Sequence, residues 1–108
     1  MNIIKQGNYI AVHKGLVRAF GLRETYVLVF LCERYEYCLS AGKLIDNKFT
    51  ATAEETAKHT GLTTQQQRTA IASLKAQDLI STVRFGLPAK RYFGFNAGFE
   101  AAISIILN

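Results

Sequence analysis

Hydrophobic and polar positions change their period several times along this chain. Residues 8–13, NYIAVH, alternate weakly and predict a short strand. Residues 14–20, KGLVRAF, predict a short helix closed by Gly21. The next segment, residues 23–41, opens RETYVLVFLCERYEYCL and is apolar throughout Tyr26–Cys32. Such a run suits either a buried strand or a buried helix, and length arbitrates. Strands usually run about 4–8 residues, whereas this segment continues to a Gly-Lys loop, so a buried helix is expected. Asn47-Lys48 marks a turn, with a short extended piece at Phe49-Thr50-Ala51.

The signals sharpen beyond residue 51. Thr52-Ala53-Glu54-Glu55 is a capping box: the threonine hydroxyl takes an amide hydrogen three residues on, and Glu55 reaches back. Its helix is expected to end at Gly61, a suitable left-handed cap. Leu62 supplies an apolar plug, and Thr63-Thr64-Gln65-Gln66 forms a second box that opens a helix to about Gln77. Two helices joined by a short glycine turn have the helix-turn-helix layout, here over about residues 53–77. Residues 80–85 (ISTVRF) and 91–96 (RYFGFN) are rich in β-branched and aromatic side chains and flank Gly86-Leu87-Pro88-Ala89, which predicts a hairpin over about 80–96. The expected class is therefore mainly α with a β-hairpin (α+β), a winged helix-turn-helix in one domain over residues 1–108.

At 100° per residue, Ala70, Ile71 and Leu74 anchor the core stripe of the second helix. Its opposite face carries Gln65, Thr69, Ala72, Ser73 and Ala76, flanked by Gln66 and Arg68. Past the first turn this face is small where lysine or glutamate is ordinary. A helix with a small outer face can lie deep in a major groove while long polar residues at its start reach base edges. Thr64, Gln65, Gln66, Arg68, Thr69 and Ser73 are the candidate DNA contacts on the helix. Gln66 competes between that role and the cap. The alternative for the whole face is simple solvation by good helix formers. Arg84, Lys90 and Arg91 around the hairpin tip are the candidate phosphate contacts, against the alternative of ordinary edge-strand cations.

Charge supports the DNA reading. Thirteen Lys and Arg oppose eight Asp and Glu, a net +5 with a pI near 9.4, and hydrophobic residues at 49% suffice for a core. The excess is uneven: residues 1–22 and 81–97 each hold three Lys or Arg and no acid. Cys32 and Cys38, six apart, fall on different faces of a helix, and His13 and His59 are isolated. Neither a disulfide nor a metal site is expected, and reduced thiols suit a cytoplasmic protein. The N-terminus lacks a long apolar run, and ISIIL near the C-terminus is too short to span a bilayer, so no membrane association is expected. Without paired carboxylates near a nucleophile or a phosphate-binding glycine loop, the chain reads as a non-enzyme without cofactors. The apolar segment 98–107 is expected to cover the core or to form a homodimer interface.

TGLTTQQQRTAIASLKAQDLIST followed by GLPAKRYF, with NYIAVHKGLVRAFGL and YVLVFLCERYEY before them, resembles the winged-helix N-terminal domain of replication initiators from bacterial phages, plasmids and mobile elements. The likeness covers about residues 8–97. It implies double-stranded origin or operator DNA as partner, a role in replication initiation, and contacts through Thr64, Gln65 and Arg68 on the helix and Lys90 and Arg91 on the wing. Gln67 and Thr56 depart from it, standing where apolar residues are usual. Initiators of this kind continue into a second domain that meets helicase or its loader. The 108 residues read either as the isolated first domain or as a small stand-alone regulator. Two other functions use the same fold: a dimeric transcriptional regulator, and a protein-interaction module whose small helix face meets another protein.

Overall fold

The computed structural model describes residues 13–107. The strand expected over residues 8–13 lies outside them except for His13, which instead caps a helix. Helix α1 spans Lys14–Phe20, and the His13 ring nitrogen Nδ1 accepts from the Gly15 amide at 3.0 Å. Gly21, at φ 105°, breaks the chain before helix α2, Leu22–Ser40.

The apolar run Tyr26–Cys32 is helical, as its length predicts. Its lack of a polar face has a packing cause: α2 meets α1, helix α3 (Ala53–Thr60), helix α4 (Thr64–Ala76) and strand β1 (Phe49–Thr50). A helix enclosed on several sides needs apolar residues on several faces. Val27, Leu28, Phe30, Leu31 and Cys38 are buried there with Phe49, Ala70, Ile71, Leu74, Leu79, Ile80 and Phe93.

Both capping boxes form. The Thr52 hydroxyl accepts from Glu55 N at 3.0 Å, and Glu55 Oε1 accepts from Thr52 N at 3.2 Å. Thr63 and Gln66 repeat the pattern at 3.2 and 3.0 Å. Gly61, at φ 75°, is the left-handed cap that turns the chain from α3 into α4.

Strands β2 (Ile80–Phe85) and β3 (Lys90–Phe95) pair antiparallel, from Ile80 opposite Phe95 to Phe85 opposite Lys90. The short extended piece at Phe49 is β1, and it joins the other side of β3, giving the order β1-β3-β2. Asn96 ties the hairpin base to the end of α4: its Nδ2 donates to Asp78 Oδ1 at 2.8 Å and to the Ile80 carbonyl at 3.3 Å. The described residues thus form an α+β structure of five helices and one three-stranded antiparallel sheet.

Helix α5, Phe99–Leu107, contacts α1, and Phe99, Ala102 and Ile103 pack against the core. Phe99 stacks on Phe95 with ring centroids 4.5 Å apart. Ile105 remains 79% exposed. Covering the core is the part of the expectation for this segment that the packing shows. No helix among the described residues is long and apolar enough to cross a membrane.

Candidate nucleic-acid interface

Helix α4 exposes what its periodicity predicts. Gln65, Arg68, Thr69, Ala72 and Ala76 are exposed, Gln66 and Ser73 are half-buried, and Ala70, Ile71 and Leu74 are buried. Gln67 joins the core side at 2% exposure. Its Nε2 donates to the Leu62 carbonyl at 3.0 Å and to the Ala53 carbonyl at 3.1 Å. A glutamine stands where the resemblance expects an apolar residue, and its amide serves two backbone carbonyls, one in the turn before α4 and one at the start of α3. Its Oε1 is buried without a partner. Thr56, the other departure, is also buried, and its hydroxyl donates to the Thr52 carbonyl at 2.8 Å. Both departures are polar side chains fitted into the core by hydrogen bonds to backbone.

The start of α4, the segment Thr50–Ala53 and the hairpin enclose an open cleft of about 570 Å³. Thr64 and Arg68 reach it from the helix, and Arg84, Lys90 and Arg91 from the hairpin. Five of the nine residues singled out from sequence therefore converge on one place. Arg84 and Arg91 are direct cross-strand partners. Alternation puts them on the same sheet face as the buried Phe93, and the Arg91 guanidinium lies 4.7 Å from that ring's centroid. Burial first, then the charges of Arg84 and Arg68, lower the pKa of Arg91. The one carboxylate on the cleft, Glu55, is already engaged: Arg34 Nη1 lies 3.0 Å from its Oε2. Among the described residues none of the four cleft cations is in a salt bridge. Three arginines and a lysine lining one open cleft form a surface that favours a polyanion.

The other four candidates do not line the cleft. Gln65, Thr69 and Ser73 follow one another at intervals of four along α4, with Ala72 and Ala76 beside them, on the outward side of the helix. The Thr69 hydroxyl donates to the Gln65 carbonyl at 3.1 Å, and Ser73 Oγ accepts from Gln77 Nε2 at 3.1 Å. Only Gln65 of this stripe carries a long side chain for which no hydrogen bond is formed. Gln66 has its oxygen on Thr63 N and so serves the cap.

Two contributors escape sequence reasoning. The backbone around Thr50–Ala53 forms one wall of the cleft, and it is brought there by the pairing of β1 with β3. Lys75 is exposed seven residues after Arg68, on the same flank of α4. That spacing was the available signal. Among the described residues no group of three His, Cys, Asp or Glu could hold a metal ion. Comparison with family models, curated proteins and solved structures gives no match to this chain.

Proposed function

We propose that the chain is a winged-helix domain that binds duplex DNA. In this reading α3 and α4 are the helix-turn-helix, α4 enters the major groove, and the β2–β3 hairpin is the wing that meets the adjoining backbone. The carrying observation is the convergence of Arg68 with Arg84, Lys90 and Arg91 on one cleft between α4 and the hairpin. A phosphate there relieves the mutual repulsion of the arginines and supplies affinity through counterion release. Gln65, outward at the helix start, is the side chain for base edges, where glutamine suits adenine. The small stripe of Ala72, Ser73 and Ala76 lets the helix approach closely. Replication initiation for a phage or mobile element is the role that the resemblance adds.

The test is a binding titration on duplex DNA across salt concentrations, followed by selection of bound fragments from the source genome. Affinity falling steeply with salt, with recurrent sequences in the selected pool, supports the reading. Salt-independent binding, or none at low salt, removes it and favours a protein partner for the α4 face.

A further inference from the structure

The hairpin tip does not match the rest of its surroundings. Gly86 and Pro88 are ordinary turn residues, but Leu87 between them puts a large apolar side chain on a tip that has no charged or hydrogen-bonding side chain. Leu87 is fully exposed, more than any other large apolar residue in the described chain. Arg84, Lys90 and Arg91 lie within two residues of the turn, Arg84 and Arg91 as partners on one face, so cations stand directly behind an apolar point. Just below the point, Phe85 and Tyr92 pack with ring centroids 4.0 Å apart, which stiffens the hairpin where a load on its tip would fall.

We infer that this tip is an apolar wedge: Leu87 enters a minor groove flanking the major groove occupied by α4, partly unstacks one base step, and bends the duplex. The inference rests on the proposed DNA reading. The charge pattern selects DNA as the occupant, because cations directly behind the tip complement the phosphates that border a groove. The undistorted minor groove is only about 6 Å wide, so a single projecting side chain enters it more readily than the two-stranded ribbon behind it. Apolar side chains driven between base steps kink DNA by about 20–90° toward the major groove. Pyrimidine–purine steps yield most easily, so the wedge adds a preference for a flexible step at a position no polar side chain reads.

The experiment uses the full chain and an end-labelled duplex of about 30 bp with a central TpA step, with energy transfer between the ends reporting bending. Wild type is expected to shorten the end-to-end distance on binding. Leu87→Ser, which leaves every charge in place, is expected to bind up to about tenfold more weakly and to leave the duplex straight. Leu87→Phe is expected to restore the bend. Equal bending by wild type and Leu87→Ser overturns the wedge, as does a straight duplex with tightly bound wild type, while the DNA reading stands in both cases. No binding by wild type at low salt overturns the DNA reading itself. If Leu87→Ser changes only the sedimentation of the free chain, the tip is a contact between copies and the wedge is wrong.

Discussion

Arg84 and Arg91 face each other across the hairpin, where like charges are unfavourable, and Arg68 adds a third. Arginine titrates far above neutral even when its pKa is lowered, so this repulsion persists across all working pH values. Salt, not pH, is therefore the lever. Arg84→Gln is expected to stabilise the free chain by roughly 0.2–1 kcal/mol at low salt, a gain that shrinks as salt rises. The same change should weaken duplex binding. Thermal melts at two salt concentrations and a binding titration check both signs. Cys32 behaves in the opposite manner. Burial, then Glu36 and Glu33, push its thiol from 9.0 up to about 11. The folded state holds this proton more tightly than the unfolded chain, so the thiol's stabilising contribution is intact below pH 9 and declines between about pH 9 and 11. The decline is of order 2–3 kcal/mol. Denaturant melts over that range should show a steeper loss for wild type than for Cys32→Ala.

The two glutamines Gln65 and Gln66 sit side by side on α4 and do different work. Gln66 closes the capping box, so Gln66→Ala should cost about 0.5–1 kcal/mol of stability and leave sequence preference intact. Gln65 makes no side-chain hydrogen bond, so Gln65→Ala should leave the melt unchanged and cost about 1–3 kcal/mol of discrimination at the specific site. Melts paired with titrations on specific and scrambled duplexes separate the two, and a swap of the two outcomes reverses the assignment. Gln67 fastens α4 to the start of α3 and to the turn between them. Gln67→Ala opens a cavity and removes two side-chain hydrogen bonds to backbone carbonyls, a loss of about 2–4 kcal/mol. Gln67→Leu keeps most of the volume and removes the orphan oxygen, so urea melts should show a loss of about 1–2 kcal/mol.

The field of the molecule gathers where α4 meets the hairpin, because among the described residues Arg68, Arg84, Lys90 and Arg91 have no carboxylate partner there. Replacing Lys90 and Arg91 together by alanine should weaken binding to every duplex sequence alike. It should also flatten the slope of log affinity against log salt by up to about two, one for each phosphate that is no longer neutralised. Gel or anisotropy titrations at several salt concentrations measure that slope directly. An unchanged slope would mean that the hairpin is not a backbone clamp.

Local chemistry was enough for the elements. A capping box, a left-handed glycine or a β-branched run flanking a Gly-Pro turn acts within a few residues, so α3, α4 and the hairpin were legible from sequence with boundaries near those observed. The length of the run after Tyr26 likewise sufficed to choose helix over strand. The outward set on α4 followed from its helical period alone. Tertiary structure decided which candidates meet. Arg68 lies sixteen residues from Arg84 and twenty-three from Arg91, and only the docking of hairpin against α4 makes them one cleft. It also decided that β1 joins β3 to form the cleft wall, and which carbonyls the buried Gln67 amide meets. The helical period already sets Gln67 and Thr56 against the core stripe; what no local pattern records is the Ala53 carbonyl, on the preceding helix, that the Gln67 amide meets.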